Sequence, residues 1–121
     1  NASPESMLAA LNLLDEMDGR KIAVLGDMLE LGQYEKQGHE IVGMRAAQVA
    51  KVLLILGPRG HMIADAAQRA GMKSAQIFEF EKPELVVDWL NQNLTSNDTV
   101  LIKGSHGLRM DRITAALEVS S

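Results

Sequence analysis

The sequence predicts an α/β domain: a Rossmann-like, doubly wound, mainly parallel sheet with helices on both faces. Three observations carry this. Four short apolar runs, at 21–25, 52–56, 76–80 and 99–103, alternate with longer stretches whose apolar residues recur at helical spacing. The first two runs are apolar almost throughout, as strands covered on both faces are. Each of these two passes directly into glycine, Gly26 and Gly57, which marks a strand entering a loop. The order is one helix, then strand and helix four times over. Right-handed crossovers then leave few topologies. The expected strand order is 3-2-1-4 for the four strands seen, with an extra edge strand left open.

Each element has a local reason. Ser3 is a good N-cap, Pro4 suits the first helical position and Glu5 suits the first turn. Met7, Leu8, Leu11 and Leu14 then share a face, and Gly19 ends the helix. Strand 21–25 follows. Gly32 closes the next loop, and 34–50 reads as a helix with Ile41, Val42, Arg45, Ala46 and Val49 at helical spacing. After strand 52–56 comes a helix over 61–70, stopped by Gly71. Strand 76–80 is the weakest of the four. Pro83 opens a helix whose Leu85, Val86, Trp89, Leu90 and Leu94 form one apolar stripe, so Trp89 is expected inside. Asn97-Asp98 is a turn signal before strand 99–103. A closing helix is expected over 109–118, with Met110, Ile113 and Leu117 inward.

At 121 residues the chain is expected to form a single domain. Aromatics are only 3% of it, so aliphatic side chains must fill the core. The absence of cysteine excludes disulfides and cysteine-ligated metals, and suits a reducing compartment. A net charge of −4 with no basic run argues against a nucleic-acid partner. No apolar run approaches the ~20 residues that a membrane span needs, and no secretory signal is visible. Three scattered histidines give no metal-ligand spacing, so no metal site is expected. The chain opens at Asn1 without a methionine and is read as a domain excised from a longer protein.

In such a sheet, ligands bind beyond the carboxyl ends of the strands, where the strand order reverses. Here that point lies between strands one and four. Strand one runs into GDMLELG, from Gly26 to Gly32, and strand four into KGSHG, from Lys103 to Gly107. Asp27 offers an acid to an ammonium, a hydroxyl or a hydrated metal, and Lys103 offers a positive charge. Gly104 and Gly107 allow close backbone approach. Ser105 can donate, and backbone N–H groups entering the last helix favour an anion. The candidate substrate-binding residues are therefore Asp27, Lys103, Gly104 and Ser105, a set that suits a zwitterion.

Blander readings stand beside these. Asp27 and Lys103 could simply pair with each other, Ser105 could only cap the last helix, and His106 and Arg109 could be solvated. His39 and His61, on predicted helices, read as structural or exposed. The chain has no G-x-x-x-x-G-K-[ST] phosphate loop, no G-x-G-x-x-G fingerprint and no nucleophile elbow. No catalytic residue is assigned to it, and by itself it is expected to be inactive.

The segments NASPESM at Asn1, AVLGDMLELG ending at Gly32, His39, and VLIKGSHGLRMDR from Val100 together resemble the carboxyl-terminal domain of the Mur ligases. The likeness covers nearly the whole chain. Within the family it is greatest to the member that joins D-alanyl-D-alanine to a UDP-N-acetylmuramoyl tripeptide. The resemblance implies a cytoplasmic three-domain enzyme of peptidoglycan synthesis. Its other domains hold the UDP-sugar, the ATP phosphates and Mg2+. ATP and the tripeptide carboxylate give an acyl phosphate, which the dipeptide amine attacks. The third domain closes over the site. By position, Asn1 is implied as a nucleotide contact, and Asp27, Lys103 and Ser105 face the incoming dipeptide. The chain begins inside the family's Asp-x-Tyr-Asn motif, so that nucleotide contact is incomplete. At His106 the family more often has Arg, and a neutral His weakens any carboxylate contact there.

Two other classes remain as alternatives. A receiver-type signalling module shares the doubly wound fold but needs a phosphoacceptor aspartate after a middle strand, where this chain has Gly57-Pro58-Arg59. A general nucleotide-binding module would need the glycine fingerprints that are missing.

Overall fold

The computed structural model describes residues 2–105; Asn1, His106, Gly107, Arg109 and the closing helix expected at 109–118 lie outside them. The elements run α1 (Pro4–Asp15), β1 (Arg20–Gly26), α2 (Glu35–Val49), β2 (Val52–Leu56), α3 (Gly60–Arg69), β3 (Ile77–Phe80), α4 (Pro83–Asn93) and β4 (Asp98–Lys103). Single 3-10 turns at Gly32–Tyr34 and Ser74–Gln76 lead into α2 and β3. The sheet order is β3-β2-β1-β4 with every pairing parallel, as the sequence predicts.

The pleat sorts the strand residues onto two faces. Ala23, Leu25, Leu53 and Ile55 pack with Met7, Leu11 and Leu14 of α1, Val42 and Ala46 of α2, and Ile63 and Ala67 of α3. Ile22, Val24, Leu54 and Leu56 face the opposite way, onto Val86 and Leu90 of α4. α1 begins as expected: Ser3 Oγ accepts from the Ser6 N–H (3.1 Å), and Ser6 Oγ accepts from the Ser3 N–H (2.9 Å).

Three side chains differ from the expected faces. Leu85 is 46% exposed and Ile41 40% exposed. Trp89 is half-buried rather than enclosed. The reason is angular. α4 meets the sheet along Val86 and Leu90, and the Leu85–Trp89 ridge lies one residue, about 100°, away. Trp89 covers the flank of β3 instead, its ring centroid 5.4 Å from that of Phe78.

At the amino-terminal edge, Arg20 and Asp98 are register partners of β1 and β4. Their side chains form a two-pronged pair, Nε to Oδ1 and Nη2 to Oδ2, both 2.8 Å. The Thr95 N–H also donates to Asp98 Oδ2. These contacts, led by the Arg20 hydrogen bond, lower the Asp98 pKa from 3.8 to about 2. A depressed acid stabilises the fold above its unfolded pKa, and that contribution disappears as pH falls through the folded value. The clasp should therefore weaken between pH ~4 and ~2. Urea melts of the chain and of Asp98→Asn across that window should show a smaller pH dependence in the variant.

Helices α2 and α3 come into close contact at Gly43. A Cβ there would collide with the Ile63 carbonyl oxygen and press on Ala66 Cβ at 2.9 Å. Backbone cannot yield as a side-chain tip can. Gly43→Ala should cost about 1–3 kcal/mol in a urea melt, as overpacking does, and a loss near zero would mean that the two helices sit further apart.

Candidate functional site

The carboxyl ends of β1 and β4 meet where the strand order reverses, and their loops are hydrogen-bonded to each other. The Ser105 N–H donates to the Asp27 carbonyl (3.1 Å). The Leu29 N–H donates to Ser105 Oγ (3.2 Å). Ser105 thus ties strand four's exit to strand one's exit with both its backbone and its side chain, and it is 7% exposed. Lys103, opposite Leu25 in the register, is half-buried, and its ammonium has no hydrogen bond or ion pair with another described residue. Gly104 lies between them.

Asp27 takes a different part. It is 1% exposed, and its carboxylate turns away from Lys103 toward the loop that follows β2. Oδ1 accepts from the Gly60 N–H (2.7 Å) at the first residue of α3, where the helix dipole favours an anion. Oδ2 lies 3.6 Å from Arg59 Nη1. The Asp27–Lys103 ion pair is not formed. Gly57 makes room for this carboxylate: it adopts φ +102°, and a Cβ would lie 2.7 Å from Oδ1. Arg59 also donates from Nε to Glu35 Oε1 (2.7 Å). Glu35 first, and Asp27 after it, raise the Arg59 pKa above its ordinary value.

His39 is wholly buried and is bonded to the loop that follows β1. The Met28 N–H donates to its Nε2 (3.1 Å), and its Nδ1 is 2.6 Å from the Glu35 carbonyl. His61 is instead exposed and pairs with Glu79 (2.9 Å), which raises its pKa. It lines a concavity of about 600 Å³ beside the β2 and β3 ends, with Gly57, Pro58, Glu79, Phe80 and Glu81.

The structure therefore brings Asp27, Lys103, Gly104 and Ser105 to one end of the sheet, but Asp27 reaches that place as a buried brace. The residues not anticipated are Arg59, Gly60, Gly57 and Glu35. For Arg59, Gly60 and Gly57 the signal was the Gly57-Pro58-Arg59-Gly60 stretch at a strand's carboxyl end; Glu35 lies outside it. Two glycines around an arginine there mark backbone that something must approach closely. Among the described residues no cluster of three or more His, Cys, Asp or Glu could hold a metal.

A parallel sheet with a polar loop pair at its switch point defines a Rossmann-like α/β domain. Comparison with known proteins identifies which one: residues 1–106 match the family described as Mur ligase, glutamate ligase domain, and the chain belongs to that family. It is 34% identical over 121 residues to the UDP-N-acetylmuramoyl-tripeptide--D-alanyl-D-alanine ligase of Bacillus subtilis, covering 97% of this chain and 26% of that protein. It is 32% identical to the ligase of the same name from Treponema pallidum, with the same shares covered. Among solved structures it is similar to the MurF ligase of Thermotoga maritima in complex with ADP. The TM-score there is 0.80 at 30% identity, over 98% of this chain and 26% of that one. The chain thus spans about a quarter of the length of these relatives.

If Asp27 is a brace, its loss strands the buried Gly60 N–H. Asp27→Ala should then destabilise the chain by about 1–3 kcal/mol, with Asp27→Asn costing less because an amide oxygen still accepts. Lys103→Ala should leave the melting temperature unchanged. Equal losses from Asp27→Ala and Lys103→Ala in calorimetry would contradict this division of roles.

Proposed function

We propose that this chain is the substrate-closing domain of a three-domain ligase that joins D-alanyl-D-alanine to a UDP-N-acetylmuramoyl tripeptide in the cytoplasm. The observation that supports this reading best is the Lys103–Ser105 loop. It is locked in shape by its bonds to Asp27 and Leu29, and it presents an ammonium with no partner among the described residues. In this reading Lys103 attracts the dipeptide carboxylate. Gly104 lets the ligand approach the backbone, and Ser105 keeps the loop in place. Asp27 acts indirectly, by bracing the β1 loop against α3.

ATP supplies the phosphoryl group that activates the tripeptide carboxylate. ATP and Mg2+ belong mainly to the other domains, with Asn1 as this chain's nucleotide contact. The chain's own contribution is to orient the amine and to exclude water once the domain swings shut, which protects an acyl phosphate from hydrolysis. By itself the chain then makes no amide bond.

The test is steady-state kinetics on the full-length parent ligase. Removing a charge-assisted contact from a partly buried site is worth roughly 1.5–3 kcal/mol, so Lys103→Ala should lower kcat/KM for the dipeptide about ten- to two-hundredfold. The KM values for ATP and UDP-tripeptide should change much less. Dipeptide kinetics unaffected by Lys103→Ala would remove this loop from the substrate site.

A further inference from the structure

We infer that His39 is a positioning residue. It pins the backbone of Met28 so that Leu29 is held against Ser105 and the Lys103–Ser105 loop keeps its shape. The consequence for substrate rests on the function proposed above; the pin itself does not.

The β1 exit needs such a pin. Beyond Gly26 the chain has left the strand, so its N–H groups have no strand neighbour to bond. Met28 is fully buried, and a buried N–H without an acceptor is costly. Two residues on, Glu30 takes a left-handed conformation at φ 64°, a strained choice for a residue with a side chain. Strain of this kind persists only where the surroundings over-determine it. Here two acceptors from separate elements do so. Met28 N–H bonds to His39 Nε2 on α2, and Leu29 N–H bonds to Ser105 Oγ beyond β4.

The chemistry selects one form of the imidazole. An N–H can only donate, so Nε2 must be the unprotonated nitrogen. The ring proton then sits on Nδ1 and is donated to the Glu35 carbonyl, one helical turn back. Both nitrogens of a fully buried ring are committed to backbone. The Glu35 side chain also holds Arg59, which reaches Asp27, the neighbour of Met28. The polar contacts therefore close a circuit around the β1 exit: Met28, His39, Glu35, Arg59 and Asp27. A leucine at position 39 would fill the space and leave that circuit open.

Nitrogen-15 NMR and amide hydrogen exchange on this 121-residue chain test the pin. In the parent sequence His39 should be protonated at Nδ1 and bare at Nε2. His39→Leu should speed exchange of the Met28, Leu29 and Ser105 amides about tenfold or more relative to Ala23 and Leu54 in the core. His39→Gln, whose side-chain oxygen can accept, should recover much of that protection. A protonated Nε2 would overturn the inference, as would loop and core amides loosening by the same factor in His39→Leu. Should His39→Leu not fold, Ser105→Ala decides: Leu29 should lose protection while Met28 keeps it, and simultaneous loss of both overturns the pin. Exchange needs no substrate. In the parent ligase, His39→Leu should raise KM for the dipeptide at least several-fold with little change for ATP. Unchanged dipeptide kinetics alongside a loosened loop would overturn the substrate reading and leave the pin standing.

Discussion

Strand β1 has no free side. Ile22 to Leu25 are wholly buried, helices cover the sheet on both faces, and β2 and β4 occupy both edges. A backbone in that position can satisfy its N–H and C=O groups only through its neighbours. It also cannot slip by one residue without turning Ala23 and Leu25 to the wrong face. The central strand therefore fixes the register of the whole sheet. Polar chemistry is expelled from its length and appears at its two ends, in Arg20 and Asp27.

The two ends do different things with that chemistry. Arg20 meets its own register partner, Asp98, and the pair clasps β1 to β4 at the amino-terminal edge. With the register set there, the opposite ends of the same two strands arrive together. Only then can Ser105 reach the Asp27 carbonyl and the Leu29 N–H. Asp27 extends the linkage sideways, past Gly57, to the first turn of α3. The Lys103–Ser105 loop is thus held directly by the β1 exit, which α2 and α3 brace in turn through His39 and Gly60.

The elements and their order were legible because each is written locally. Capping residues, glycine stops and two apolar periods mark nine segments, eight of them within the described residues, and crossover handedness orders the strands. The switch point followed from that order, and with it the meeting of the two loops. The destination of Asp27 was not legible. A carboxylate at a strand's end has several loops in reach, and the choice between Lys103 and Arg59 depends on rotation about its own side-chain bonds. The α4 face was blurred for a similar reason. Leu85, Val86, Trp89 and Leu90 span two adjacent ridges, and sequence spacing does not say which ridge points straight at the sheet. His39 was read as structural or exposed from its helix. Nothing local to it reveals that a loop eleven residues earlier would need its Nε2 as an acceptor.

Under the function proposed above, this domain closes over chemistry housed elsewhere, and it must then arrive with its contacts already arranged. Ordering a loose loop at the moment of closure would take free energy from binding, of order 0.5–1.5 kcal/mol for each side chain immobilised. In this chain the ordering is done within the domain itself. Asp27, Glu35 and Arg59 answer one another's charges, and His39 and Ser105 satisfy the backbone of the β1 exit. Lys103 is left without a described partner at the rim of that rigid frame. A flexible ammonium on a fixed base can find a carboxylate by its own rotations while the backbone beneath it stays still. For that reason the braces and the contact are separable. Loosening a brace blurs where the ammonium can reach, whereas removing the ammonium leaves the frame intact and silent.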